Sequence, residues 1–425
     1  MKKNPSQLRA IAHLSGPMMV LAGPGSGKTS VIVERTAYMT GEGEIPASSV
    51  LVVPFSRAAA VEMKERFLKF TSVQRTGVTF GTFHGVFYGI LKQAYGLNGG
   101  NILSEEEKYA ILKEMTLEFG QELAQEGDFQ EDVAKEISVV KGGRISLDHY
   151  YSSCCPDEVF RQIFQGYRKF LNERRKLDFD DMLLSCYELL KKRKDILSAW
   201  QKKFHYILVD EFQDINAAQY EAVKLLCGGK RNLFVVGDDD QAIYGFRGSD
   251  PAIMRQFLKD FPEAKQIFLS VNYRSRAGIV ETAGKLIGQN RERFPKQIVA
   301  GQNTSDAGQD VCFVPEATQG ARRMQGEKST LPIPTGTASG ISAAAFGTSW
   351  LPLSVLVCGF QDRRQEAEIV ADEIGKTFRQ GKSCAAIFRT NADAVWLATA
   401  LKCRKIPFLW KEKPKNPYET PVCQD

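Results

Sequence analysis

The chain has 425 residues, of which 43% are hydrophobic and 25% charged, and its formal net charge is +6. This length predicts two or three domains with ample core, and the mild positive charge is compatible with a polyanionic partner. Its nine cysteines include no C-x-x-C pair and its four histidines are isolated, so neither a disulfide framework nor a zinc site is indicated. The polar amino terminus and the lack of a long apolar run predict no membrane partner and, by default, a cytoplasmic location.

Six short apolar runs are predicted to form β-strands. They are residues 18–21, 50–53, 77–80, 206–209, 233–236 and 266–269. Helical patterns such as 56–70 and 217–226 separate several of these runs. Strands that alternate with helices predict an α/β fold, in which helices cover both faces of a parallel sheet.

One long stretch breaks this alternation. From about residue 85 to 177 the sequence is charged and helical in pattern, with no convincing strand, which predicts an all-helical insertion between two strands of the sheet. Within it, Ser104 followed by Glu107 predicts a capping box at the start of a helix.

The carboxyl-terminal part begins with an irregular segment. Residues 301–352 are rich in Gly, Ser, Thr, Pro and Ala, and they predict a flexible linker. Beyond it we expect strands at 353–360 and 385–388. We expect helices at 361–380 and 392–401.

A glycine-rich turn follows the first predicted strand. It reads Ala22, Gly23, Pro24, Gly25, Ser26, Gly27, Lys28 and Thr29. The glycines let successive N–H groups face an anion, and the helix predicted to begin near Lys28 points its positive end at the same place. Lys28 can reach the β- and γ-phosphates, and Thr29 can give a hydroxyl to Mg²⁺. A structural turn is the alternative, but the strand before and the helix after favour nucleoside triphosphate binding.

Acidic residues end the strand at 206–209. Asp210 is placed to hold Mg²⁺ together with Thr29, and Glu211 can polarise an attacking water. Acids after a strand are also common helix caps. The phosphate loop on the same sheet favours the catalytic interpretation.

The next strand ends in a turn that carries polar and aromatic side chains. Gln241 is placed to contact a γ-phosphate, and Tyr244, Phe246 and Arg247 follow on one loop. Such rings are often part of a core. Flanking glycines favour a solvent-facing loop, where two rings and a guanidinium suit stacking and phosphate contacts with single-stranded nucleic acid.

The order of these motifs resembles that of the UvrD/PcrA/Rep group of superfamily 1 helicases, over residues 1–300 and again from about 353. The matching segments are 4–7, 22–29, 54–63, 79–84, 178–181, 209–214, 236–248 and 272–275. The resemblance implies a RecA-like P-loop NTPase that uses ATP and Mg²⁺ for 3′-to-5′ translocation and unwinding. It implies single-stranded DNA and 3′-tailed duplex DNA as substrates, with repair or replication proteins as possible partners.

The resemblance also assigns roles to individual residues. By it, Gln7 reads adenine, Tyr273 stacks on adenine, and Arg274 reaches the γ-phosphate. The residues that it places along the single-strand path are Phe55, Thr82, His84, Tyr244 and Phe246. Asp180 and Asp181 belong to the acidic cluster of the family; helix capping and a part in coupling DNA to the ATP site are both open for them.

The resemblance implies a division of the chain into domains. It gives a RecA-like domain of residues 1–84 and 178–270, a helical subdomain of 85–177, and a partial second RecA-like domain of 271–300 and 353–425. Nothing that resembles motifs V and VI follows residues 387–391, so we expect the amino-terminal part of a helicase. The alternatives are a catalytically impaired fragment that binds ATP and DNA, and part of a helicase–nuclease of the RecB/AddA type, which would need an acidic nuclease module.

Overall fold

A computed structural model describes residues 3–119, 129–301, 312–315 and 355–410. The chain forms two compact units, Met1–Ser305 and Asp306–Asp425. The described α-helices are α1 (Pro5–Ala12), α2 (Lys28–Thr40), α3 (Arg57–Thr71), α4 (Phe83–Tyr95), α5 (Glu105–Leu117), α6 (Phe129–Gly143), α7 (Asp157–Glu173), α8 (Phe179–Lys192), α9 (Lys194–Lys203), α10 (Ala217–Cys227), α11 (Ala252–Asp260), α12 (Ala277–Ile287), α13 (Arg363–Arg379) and α14 (Ala394–Cys403).

A six-stranded parallel sheet organises the first unit. The described strands are β1 (Met18–Ala22), β2 (Val50–Val53), β3 (Thr79–Phe80), β4 (Tyr206–Val209), β5 (Leu233–Gly237), β6 (Lys265–Leu269), β7 (Val271–Asn272), β8 (Val299–Ala300), β9 (Cys312–Pro315) and β10 (Val355–Cys358). The sheet has the order β3-β2-β4-β5-β1-β6, and every neighbouring pair is parallel. The predicted α/β class is confirmed, and all six predicted strands lie in this sheet.

Alternate residues of the sheet strands face opposite layers of helices. In β1, Met19 and Leu21 join a core that α4, α8 and α10 cover. Met18, Val20 and Ala22 join the other core, which α1, α2 and α3 cover. Burying one such side chain stabilises the fold by about 1.5–3 kcal/mol, so the two cores hold the sheet, and the loops at its edge, in place.

The insertion predicted at 85–177 is helical. Its described residues form helices α4 to α7 and no strand, although one bridge joins Ile102 to Leu177. A separate core fills it, with Phe160, Ile163 and Tyr167 of α7 packed against α5 and α6. The capping box of Ser104 and Glu107 is present at the start of α5, as predicted.

In the second unit, β9 pairs in parallel with β10, and α13 packs against α14 through small apolar side chains such as Ala371 and Ala400. The strand predicted at 385–388 is wrong: these residues form no strand, and Ile387 is 94% exposed. An apolar run satisfies strand propensity, but a strand also needs a hydrogen-bonded neighbour. Most of the linker predicted at 301–352 lies outside the described residues, and β9 falls within it. Among the helices described, none is long and apolar enough to cross a membrane.

Candidate active site

The motif loops converge because their strands are parallel neighbours. Leu21 at the end of β1 is in register with Gly237 at the end of β5, and Val53 of β2 is in register with Val209 of β4. The carboxyl ends of these four strands therefore lie at one edge of the sheet. In open α/β sheets this edge is where ligands bind.

The phosphate loop has the backbone that its glycines predict. Gly25 and Gly27 adopt φ values of +65° and +85°, which residues with a Cβ rarely adopt. Gly27 precedes the first residue of α2, Lys28, and so the helix begins where the sequence predicts. The Ser26 hydroxyl donates to the Gly23 carbonyl at 2.7 Å and closes the turn. The amino end of α2 thus faces the loop and favours an anion there.

Residues 272–274 lie against this loop. The Tyr273 N–H donates to the Gly25 carbonyl at 2.9 Å, and a Cβ on Gly25 would stand 2.6 Å from Asn272 Oδ1. That same oxygen accepts the N–H groups of Arg274 and Ser275 at 2.8 Å each. The structure thus brings Tyr273 and Arg274 to the phosphate loop. Asn272 shapes their turn; it belongs to the matching segment 272–275, but the sequence assigned it no role of its own.

The first helix joins the same site. The Gln7 side chain is buried and donates from Nε2 to the Ser26 carbonyl at 2.9 Å. The Gln7 backbone N–H donates to the Oδ1 of Asn4, which is the N-cap of α1. The Asn4 amide donates to the Tyr273 hydroxyl at 3.0 Å. Gln7 and Tyr273, the two residues expected at adenine, therefore belong to one network at one end of the phosphate loop.

Three predicted catalytic side chains meet at the head of the loop. Lys28 Nζ donates to Glu211 Oε2 at 3.0 Å and to Gln241 Oε1 at 3.4 Å. Glu211 adopts φ +47°, a strained conformation for a residue with a side chain, and such strain is typical of functional sites. Lys28 lies 183 positions from Glu211 and 213 from Gln241 in the sequence, and the sheet brings it within hydrogen-bonding distance of both.

Asp210 has the environment of a cation ligand. Its side chain is buried, and its Oδ1 has no hydrogen-bond partner among the described residues. Burial, with a further contribution from the neighbouring Glu211 carboxylate, raises the pKa of Asp210 to about 7. A buried carboxylate oxygen without a donor suits a hard cation such as Mg²⁺, so Asp210 and the half-buried Thr29 fit the ion that the sequence predicts.

Gln213 holds the acidic side chains in place. Its Nε2 donates to Glu211 Oε2 at 2.9 Å and to Asp214 Oδ2 at 3.1 Å. Its Oε1 accepts the Asp238 N–H at 3.0 Å, which ties the turn after β4 to the turn after β5. No sequence signal besides its place in the acidic motif pointed to this role.

Three aromatic rings form a row beside the acidic turns. The centroids of Phe55 and Tyr244 are 4.6 Å apart, and those of Tyr244 and Phe246 are 5.9 Å apart. Phe246 is 51% exposed, whereas Phe55 and Tyr244 are half-buried. The loop is therefore solvent-facing at Phe246, and a row of rings of this kind can stack on bases.

Thr82 and His84 lie at the neighbouring edge of the sheet. The Thr82 hydroxyl accepts the Gly85 N–H at 3.2 Å and caps α4, and so it has a structural role. The His84 ring packs edge-on against Phe179, at 5.5 Å between centroids. Both residues are half-buried, and Thr82 follows β3, which pairs with β2 just before Phe55.

Residues 3–262 match the family described as the UvrD/REP helicase N-terminal domain, which is more than half of the chain. The chain belongs to the UvrD/REP helicase family. It is 38% identical over 321 residues to YjcD of Bacillus subtilis (strain 168), an alignment that covers 73% of this chain and 41% of YjcD. It is 34% identical over 420 residues to the ATP-dependent DNA helicase PcrA of Staphylococcus aureus (strain COL), covering 95% of this chain and 50% of PcrA. The corresponding identity to PcrA of Staphylococcus epidermidis is 30%.

These similarities confirm the family that the motif order predicted. The chain spans about half the length of the relatives it matches, or less. The family match covers residues 3–262, which include the phosphate loop and the acidic turns, and the alignment to PcrA covers 95% of the chain.

A buried ionic cluster in this UvrD/REP helicase chain joins α8 to the helical insertion. Asp178 caps α8 by accepting the Asp181 N–H, and it also accepts from Lys141 Nζ at 2.9 Å and from the Tyr167 hydroxyl at 3.0 Å. Lys108 Nζ lies 3.4 Å from Asp180 Oδ2. Burial would raise the pKa of Asp178, but Lys141 and Lys108 outweigh it and lower the pKa to about 2. Of the two acids for which helix capping was open, Asp181 completes the capping box of Asp178, whereas Asp180 contacts Lys108. These acids together bind two lysines of the insertion.

Proposed function

We propose that this chain binds ATP with Mg²⁺ and hydrolyses it to drive movement along single-stranded DNA, with 3′-to-5′ unwinding of 3′-tailed duplexes in the cytoplasm. The observation that carries the proposal is the meeting of Lys28, Glu211 and Gln241 at the head of the phosphate loop. The names of the PcrA relatives, ATP-dependent DNA helicases, support it.

In this mechanism each side chain has a separate task. Lys28 leaves the Glu211 carboxylate and stabilises the charge on the β- and γ-phosphates. Glu211, which Gln213 continues to hold, then orients and polarises the attacking water. Arg274, carried by the turn beside Gly25, stabilises the charge of the transferring phosphoryl group.

Thr29 and Asp210 would hold the magnesium ion, which when bound neutralises negative charge on the phosphate oxygens. Asp210 must lose its proton to bind the ion, and because its pKa is raised to about 7, this deprotonation becomes easier as the pH rises above 7. Gln7 and Tyr273 would bind the adenine ring on the other side of the loop.

DNA would run along the row of Phe55, Tyr244 and Phe246, towards Thr82 and His84. Tyr244 and Gln241 lie on one turn after β5. A base that displaces the Tyr244 ring would therefore also shift Gln241 at the γ-phosphate. We extend the proposal to the domains: a RecA-like domain of 1–84 and 178–270 with a helical subdomain of 85–177, followed by part of a second RecA-like domain.

Two variants of the 425-residue chain test this proposal. By titration calorimetry, Lys28→Ala should weaken binding of ATP·Mg²⁺ by about 2–3 kcal/mol, because it removes a charge-assisted contact with the phosphates. Glu211→Gln should keep the nucleotide affinity but abolish DNA-dependent phosphate release. Equal affinity of Lys28→Ala and the parent chain, or full turnover by Glu211→Gln, would contradict the assignment.

A further inference from the structure

Lys296 lies buried among three consecutive carboxylates. Its side chain is 1% exposed, and Nζ contacts carboxylate oxygens of Asp238 and Asp239 directly and Asp240 Oδ2 at 3.1 Å. The three acids form the turn that follows β5, whereas Lys296 lies in the irregular segment between α12 and β8. The contact therefore joins two parts of the first unit that are more than 50 residues apart.

The same segment makes two further contacts with this turn. Arg293 donates from Nε and Nη2 to the two oxygens of Asp240, at 2.8 and 2.6 Å, as a bidentate pair. The Phe294 N–H donates to Asp239 Oδ2 at 2.7 Å. Residues 293–296 thus form a basic strap over the acidic turn.

Charge explains why the turn needs this strap. Three adjacent carboxylates repel one another, and Asp238 is fully buried. Burial alone would lower the pKa of Lys296, but attraction by Asp238 and Asp239 raises it, so the ammonium keeps its charge. Removing a cation from such a cluster leaves buried charge without compensation, and the turn must then rearrange.

The acidic turn in turn holds Gln241. One oxygen of Asp238 contacts Lys296, and the other accepts a hydrogen bond from Gln241 Nε2. Because Nε2 is held in this bond, Gln241 Oε1 points towards Lys28 Nζ, 3.4 Å away. A chain of contacts therefore runs from Lys296 through Asp238 and Gln241 to the lysine of the phosphate loop.

We propose that Lys296, with Arg293, is a positioning residue that fixes Gln241 towards the γ-phosphate and so lets the site distinguish a nucleoside triphosphate from a diphosphate. The inference rests on the proposed function, since it assumes that the phosphate loop binds ATP. It adds a requirement: the discrimination depends on a segment that does not itself touch the nucleotide.

The test compares nucleotide selectivity in variants of the full 425-residue chain. Fluorescence titration gives the Kd of a slowly hydrolysed ATP analogue and of ADP, both with Mg²⁺. In Lys296→Met the ratio of ADP to analogue Kd should fall by about tenfold, the loss expected for one hydrogen bond to a charged group, while the Kd for ADP stays unchanged. Lys296→Arg should restore most of the ratio. The matched control is Lys285→Met, which removes an exposed ammonium paired with Glu281 and should leave the ratio unchanged.

The outcomes separate this inference from the proposed function. If the parent chain binds neither nucleotide, the proposed function fails. Suppose that the parent chain binds both nucleotides and that Lys296→Met is folded by circular dichroism. If this variant then keeps the parent ratio of Kd values, or loses affinity for both nucleotides equally, Lys296 is structural and the inference is overturned. Should Lys296→Met not fold, Arg293→Gln decides, because the Arg293 side chain is 17% exposed and so less deeply buried than Lys296. A selective fall of about threefold in the ratio supports the inference, and an unchanged ratio overturns it.

Discussion

Lys141→Met should destabilise the first unit through the buried cluster at the start of α8. Lys141 Nζ contacts Asp178 Oδ2 at 2.9 Å and Asp181 Oδ1 at 2.8 Å, and its side chain is almost fully buried. Methionine fills much of the same volume, so the change removes the charge while leaving little cavity. The loss is then mainly electrostatic.

The magnitude follows from what stays behind. Removing one partner of a buried ion pair costs about 3–5 kcal/mol because the other charge remains buried. Lys108 still lies 3.8 Å from Asp178, and the Tyr167 hydroxyl still donates to Asp178. These contacts favour a loss at the lower end of that range of about 3–5 kcal/mol. We expect a loss of about 3 kcal/mol in the free energy of unfolding.

Urea unfolding followed by circular dichroism measures this loss. Lys169→Met is the control, since the Lys169–Glu173 pair is exposed and such pairs contribute about 0–1 kcal/mol. Because the pKa of Asp178 is lowered to about 2, its stabilisation is fully present above its unfolded pKa of about 4 and is lost as the pH falls towards 2. The difference in the free energy of unfolding between the parent chain and Lys141→Met should therefore shrink as the pH falls from about 4 to 2. Equal urea midpoints for Lys141→Met and Lys169→Met at pH 7 would refute this reasoning.

Three further predictions concern the site. Phe246→Ala should weaken single-stranded DNA binding by about 1–3 kcal/mol in fluorescence anisotropy, whereas Tyr151→Ala, which removes a ring that is 77% exposed elsewhere, should not. Because the pKa of Asp210 is raised to about 7, Mg²⁺-dependent nucleotide affinity should rise as the pH increases from about 6 to 8, and an Asp210→Asn chain with the same rise would count against this carboxylate. Gly25→Ala should abolish nucleotide binding, because its Cβ would stand 2.6 Å from Asn272 Oδ1 at a positive φ; Gly89→Ala, with open space around it, should bind normally, and binding by both would show that the loop can adapt.

The sequence predicted what local signals encode. Short apolar runs gave the six strands, and the glycines with Lys28 and Thr29 gave the phosphate loop and the start of α2. Asp210 and Glu211 were predicted as site residues because acids at the ends of parallel strands share one edge of a sheet. These inferences depend on spacing along the chain, which a single sequence displays.

Long-range electrostatics was not predictable in this way. Lys296 and Arg293 lie in a polar, irregular segment, and nothing in its pattern shows that it crosses the acidic turn after β5. The role of Gln213 depends on rotamers that join two turns. The strand expected at 385–388 failed for a related reason, since strand formation depends on a neighbour that the local sequence does not specify.

The position of β1 has a consequence for how the protein is made. Its hydrogen-bonded neighbours are β5 and β6, so the phosphate loop emerges about 210 residues before the strand that completes one side of it. At a synthesis rate of about 5–20 residues per second, the apolar strand and its glycine loop wait for about 10–40 s on the ribosome. The helical insertion, whose core is formed by its own helices, can fold during that interval. The proposed binding of ATP would therefore be a late event in biogenesis, and nascent chains shorter than about 240 residues should depend on chaperones that shield β1.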